Sequence, residues 1–342
     1  MIFATPLQAE DSLSVRKLAE EVRGQGWIIF SAKTDHGDYD LFLMRPDGSQ
    51  RLNLTNTSTT SEIAPLFSAD GKRLLYRRLS KGETVDGNRY GSQGELVLAL
   101  SDGSKPQVIG KSGEYPWACF NPDGTQIATL GIDGIKTIEI VTKRTLRTLD
   151  RQGFFQQLTW SPDGRSFGGV TNGFGIAWTV GRMNVVTGKV NAVSGAECCT
   201  PDWFPDSKRM IFSNRLLPQK SNNNYGWTQL WLADPDGNNL QLVYAEEGRH
   251  IYGGHVSPDG RYAVFTGNMQ EDGDPSHSGA PMSLVRLADT PMIVGKHPET
   301  RAKYPAAKSG PVLSLPAGFE PCWTQHDVLP SNDPATKQGS RR

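Results

Sequence analysis

The sequence has no apolar run of the roughly 20 residues that a membrane-spanning helix needs, so no integral membrane segment is expected. It has no net charge, since 36 Lys and Arg balance 36 Asp and Glu. That removes the long-range field that draws a basic chain to nucleic acid or to an acidic lipid face. It has only four cysteines, Cys119, Cys198, Cys199 and Cys322. None of them stands at metal-finger spacing, and no disulfide framework is indicated. Cys119 and Cys322 precede aromatic residues of a recurring phrase and are expected on inner strands as small buried hydrophobes. No Gly-x-Ser-x-Gly elbow offers a serine nucleophile. Gly168-Gly169 and Gly173-Phe174-Gly175 read as strand bulges or close packing, not as a phosphate cradle.

What is plentiful is turn chemistry, with 37 Gly and 22 Pro, the composition of a turn-rich all-β chain. One phrase recurs. It reads WSPDGR from Trp160, FSADGKRLLY from Phe67, FNPDGTQIATL from Phe120, WFPDSKRMIF from Trp203 and VSPDGRYAVF from Val256, with a worn copy, WTQHDVL, at Trp323. Short apolar residues precede each turn and alternating residues follow it, so each copy joins two strands. Pro presets φ, Asp bonds to nearby backbone, and Gly takes the left-handed position of a tight hairpin. The turn aspartates Asp70, Asp123, Asp163, Asp206 and Asp259 lie 40 to 53 residues apart, the length of one four-stranded propeller blade.

The expected fold is therefore all-β, a six-bladed β-propeller of four-stranded blades. The N-terminal part supplies three strands, Trp27 to Ala32, Tyr39 to Arg45 and Arg51 to Thr55, but no inner one. The C-terminal part supplies one inner strand, Pro321 to Gln325, and nothing after it. Pairing the two closes the ring and removes its free edges. The fifth blade is expected over Gly254 to Val294. The Pro-containing stretch from Lys296 to Glu320 is expected as an extended crossover. Residues 1–24 read as a tail and a short helix from Asp11 to Gly24, residues 25–327 as the propeller, and residues 328–342 as a disordered tail. Met1 to Ala9 has the small residue and acidic start of a signal-peptide end, without its basic region.

An aromatic before S-P-D-G-(K/R), followed later by a D-x-D-G turn such as Asp234 to Gly237, resembles the TolB-type β-propeller repeat over roughly Trp27 to Asp327. The resemblance implies a recognition module of bacterial, often periplasmic or secreted, type. Related propellers also occur in oligogalacturonate lyases. The loops between second and third strands vary in length, and they lie at the end opposite the S-P-D-G turns, where a rigid scaffold places binding residues. They offer Tyr90, Tyr225, Trp227, Asp272 and His277. That mixture suits a protein, peptide or glycan ligand, since rings stack on apolar faces and carboxylates take hydrogen bonds. The leading expectation is a non-catalytic binding or scaffold propeller without a cofactor. The alternative is a metal-assisted, lyase-like carbohydrate enzyme. On the repeat plan His36, His255 and His277 turn toward one end of the ring, where imidazoles with carboxylates would hold a divalent metal.

Overall fold

In the computed structural model, residues 6–216, 227–246, 249–269, 281–289 and 310–328 are described. They form six four-stranded antiparallel sheets. Blade one is Thr60–Phe67, Arg73–Ser80, Glu95–Leu100 and Gln107–Gly110, taken from the channel outward. Blade two is Cys119–Phe120, Gln126–Gly131, Gly134–Glu139 and Thr145–Leu149. Blade three is Phe154–Trp160, Ser166–Thr171, Thr179–Asn184 and Val190–Ala192. Blade four is Cys198–Trp203, Met210–Leu216, Trp227–Ala233 and Gln241–Ala245.

Blade five is Arg249–Val256, Tyr262–Met269, Pro281–Arg286 and Val312–Ala317. Its outermost strand thus comes from the stretch expected as a crossover, and the blade does not end at Val294. Pro316 obscures this strand in the sequence. A proline cannot donate to a ladder, but an outermost strand has no further neighbour to supply. Blade six is discontinuous in sequence. Phe319–Thr324 is innermost and pairs with Trp27–Lys33, followed by Tyr39–Met44 and Leu52–Asn53. The ring therefore closes by the expected pairing of a C-terminal strand with N-terminal ones. Trp323 Nε1 donates to the Gln25 carbonyl at 2.6 Å, and Trp27 Nε1 to Asp327 at 3.0 Å.

The recurring phrase makes the turns that its chemistry requires. In blade three Ser161 Oγ donates to Asp163 at 2.7 Å, and Asp163 accepts the Arg165 amide at 3.0 Å. Gly164 has φ +74°. In blade six Thr324 and His326 stand in for the Ser and Asp, and the His326 amide donates to Thr324 Oγ1 at 3.1 Å. Gly168 and Gly169 are close-packing glycines. A Cβ would come within 2.6 Å of Met210 at the first and 2.7 Å of Phe154 at the second.

The helix spans Pro6–Val22 and so begins before Asp11, inside the segment with signal-like character. Leu18 and Val22 are fully buried against Tyr262, Leu313, Leu315 and Trp323. Glu21 accepts hydrogen bonds from Tyr262 and Arg286 of blade five, while Arg23 pairs with Asp47 of blade six at 2.7 Å. The helix thus bridges the seam at which the ring closes. Of residues 328–342, expected as a disordered tail, Val328 is buried in the core and 329–342 lie outside the described residues.

Candidate functional site

Five of the six innermost strands interrupt their ladders at the same place, and all six share its backbone conformation. Six residues before the turn Asp, or before His326 in the worn copy, stands a residue with left-handed φ: Ala64 (54°), Trp117 (53°), Gln157 (56°), Thr200 (48°), Gly253 (59°) and Glu320 (52°). Pairing registers shift at or beside this position in blades one, three, four, five and six. The next residue is Pro65, Pro201 or Pro321 in three of the blades. Proline is accommodated there because a bulge asks no amide of it. The residue after that is Leu66, Cys119, Thr159, Asp202, His255 or Cys322. Most of these residues surround a cavity of ≈150 Å³.

Apolar groups make most of the wall, among them Tyr90, Trp117, Leu158 and Leu96. Tyr90 comes from the long loop after Ser80, and its ring meets Trp117 edge to face at 5.0 Å. The Trp117 amide donates to the Gly91 carbonyl at 2.7 Å, which anchors that loop in the channel. Gln157 links three blades, since its Nε2 donates to Tyr90 Oη at 3.4 Å and its Oε1 accepts the Thr200 amide at 2.6 Å. The Gly253 amide then donates to Thr200 Oγ1 at 3.2 Å.

Three neighbouring blades place Asp202, His255 and Cys322 at the equivalent position. His255 Nδ1 lies 2.8 Å from Asp202 Oδ2, and His255 Nε2 lies 3.8 Å from Cys322 Sγ. Burial alone would lower the His255 pKa, but the Asp202 carboxylate and Cys322 hold it well above the ordinary value. Cys322 does not line the cavity, is 4% exposed and accepts the Phe67 amide at 3.4 Å. It is built into the wall as a packing and hydrogen-bonding group.

Glu320 is the distinctive residue. Burial pushes its carboxyl up to about 7, while the Tyr90 hydrogen bond and the charge of His255 pull it down. Its Oε1 is removed from solvent and has no hydrogen-bond partner among the described residues. Arg77 also reaches the cavity. Its guanidinium donates to the Glu114 and Tyr115 carbonyls, and burial lowers its pKa to about 10.

Of the residues singled out in the sequence, His255 and Tyr90 line this cavity. His36 does not. It is exposed on the turn between Lys33 and Tyr39. Trp227 begins the third strand of blade four. Tyr225, Asp272 and His277 lie outside the described residues. The histidine trio is therefore not assembled at the cavity by the described residues, among which no three His, Cys, Asp or Glu side chains are grouped to hold a metal. Glu320, Asp202, Gln157 and Trp117 escaped the sequence reading. Aligning the six copies on their turn residues would have put them in two columns.

No protein-family model matches the chain, and no curated protein sequence matches it. Solved structures do. TolB from Acinetobacter baumannii is similar at 14% identity and a TM-score of 0.62, over 94% of this chain and 73% of that one. A TolB described as putative, from Agrobacterium tumefaciens, is similar at 17% identity and a TM-score of 0.55, over 88% of this chain and 94% of that one. A propeller in a nidogen–laminin complex is similar at 10% identity and a TM-score of 0.55, over 87% and 98%. At such identities the likeness is one of fold, and the fold is that of a TolB-like β-propeller.

Proposed function

From a TolB-like fold with one small cavity in its channel, we propose that this chain is a binding propeller that receives a single side chain or chain end of a protein partner. The observation that carries the reading is the cavity itself, ≈150 Å³, mostly apolar, with one buried acceptor unused at Glu320. Sites for drug-sized ligands run to about 300–1,000 Å³, whereas an apolar cavity near 150 Å³ holds about one benzene ring. That size favours one inserted group over a length of polysaccharide.

The surrounding face supports a protein partner. Ile132 is 90% exposed, and Phe174 and Ile176 are exposed with it. All three lie in connections between second and third strands, the class of loop that also supplies Tyr90. Exposed apolar loop tips suit a protein surface better than water. An exported setting belongs to the same reading, through the resemblance to TolB-type repeats. No described helix is long and apolar enough to cross a membrane.

Selection of displayed random peptides on the immobilised protein tests the proposal. Selected peptides are expected to lose at least tenfold in affinity for Trp117→Ala, which empties a channel wall, and to weaken for Ile132→Asp. Peptides that bind both variants as well as the parent would place recognition elsewhere and overturn the reading.

A further inference from the structure

The cavity presents an imbalance. Its main donors already serve protein acceptors: Arg77 the Glu114 and Tyr115 carbonyls, Gln157 Nε2 the Tyr90 hydroxyl, and His255 Nδ1 the Asp202 carboxylate. The Tyr90 hydroxyl stands beside Glu320 and helps to hold its carboxyl down. What is left over is an acceptor, Glu320 Oε1, out of water and without a partner among the described residues. A buried polar atom in that state costs free energy that a bound donor would recover. Gly253 keeps the approach open, since a Cβ there would stand 3.2 Å from Oε1. The remaining walls are mostly aromatic and aliphatic, with Thr159, Thr200 and Cys119 among them.

We infer that the cavity takes a primary ammonium group on an apolar stem, as at the end of a lysine side chain or at a free amino terminus, with the Glu320 carboxylate as its acceptor. This rests on the binding role proposed above and names the group received. The apolar stem matches the Tyr90, Trp117 and Leu158 walls, and the head matches the unpaired Glu320 oxygen, the other lining carboxylate, Asp202, being engaged by His255. Aligned opposite charge is what makes burial of a carboxylate favourable. The groups facing Glu320 are Tyr90 from the blade-one loop, Cys199 from blade four and His255 from blade five. The positive charge of His255 reaches Glu320 and is itself paired with Asp202 2.8 Å away.

The first test is calorimetric titration with n-pentylammonium chloride and, separately, n-pentanol at pH 8. The amine is expected to bind at least tenfold more tightly than the alcohol. Glu320→Gln is expected to abolish that preference while leaving the alcohol unchanged. For the parent protein, amine affinity is expected to fall about tenfold between pH 8 and pH 6 as the carboxylate takes up a proton. That pH arm stands even if the variant does not fold. Acetyl-Gly-Lys-Gly-amide and Leu-Gly-Gly-amide then separate a lysine side chain from an amino terminus. Equal affinity for pentanol and pentylammonium, or an amine affinity indifferent to both Glu320→Gln and pH, overturns the inference. If selected peptides depend on Trp117 but need no amine, the inference falls and the binding role stands.

Discussion

Five side chains around the channel hold a backbone conformation that glycine usually provides: Ala64, Trp117, Gln157, Thr200 and Glu320. Each such residue costs on the order of 1–3 kcal/mol, and strain of this kind gathers at binding and catalytic sites. At the sixth position, Gly253→Ala is expected to cost about 1 kcal/mol, because φ is +59° and the new Cβ would crowd Glu320. Urea denaturation measures it. Glu320 makes stability depend on pH. Its folded pKa of about 7 lies above its ordinary 4.5, so the unfolded chain releases this proton first. Stability is expected to fall by about 3 kcal/mol as pH rises from 4.5 to 7 and to stay lowered above that. Glu320→Gln is expected to remove the fall, giving a variant more stable than the parent at pH 8 and no more stable at pH 4.5. His255, with a raised folded pKa, contributes stability that is complete below pH 6.5 and is lost as pH rises through the folded value. A denaturation series in pH for His255→Gln separates the two, since its effect should shrink at higher pH.

At the scale of elements, the strands were legible wherever local chemistry decides them. Turn aspartates, left-handed glycines and alternating residues lie within a few positions of one another, and they located the six innermost strands. The site was not legible in that way. Glu320, His255, Asp202 and Gln157 come from four blades, and no two of them are neighbours in sequence. Their meeting is set by a bulge whose left-handed residue is usually not glycine and so carries no compositional mark. In the sequence, histidine stands out as a metal ligand. The cavity also holds a carboxylate, Glu320, shifted by burial that sequence does not display. The last strand of blade five was missed for the opposite reason, because Pro311 and Pro316 look like breakers and a sheet edge tolerates them. The helix is a further element whose role came from the structure. Leu18→Ala removes a fully buried side chain from the seam between blades five and six and is expected to cost about 3 kcal/mol, read by chemical denaturation. Little change would mean that the helix rests on the ring without bracing it.

At the scale of the whole molecule, one strand decides whether there is a ring. Deleting Phe319 onward removes the innermost strand of blade six, with buried Phe319, Cys322 and Trp323. It also strips the Trp323 anchor from Gln25 and the Glu320 acceptor from the channel. The loss is expected to exceed about 5 kcal/mol, counting two aromatic side chains and a ladder. That is comparable to the whole stability of many domains. Calorimetry should show the melting transition collapsing or moving far down, and an unchanged transition would refute closure by this strand. The arrangement also orders events in time. During synthesis, Trp27–Lys33 leaves the ribosome about 290 residues before its partner Phe319–Thr324, while domains tend to fold as their segments emerge. At 5–20 residues per second, a pre-made edge waits for about 15 seconds or longer, open to any strand that passes. Shielding of Ile29 and its neighbours during that interval is therefore expected to bear on the yield of folded protein.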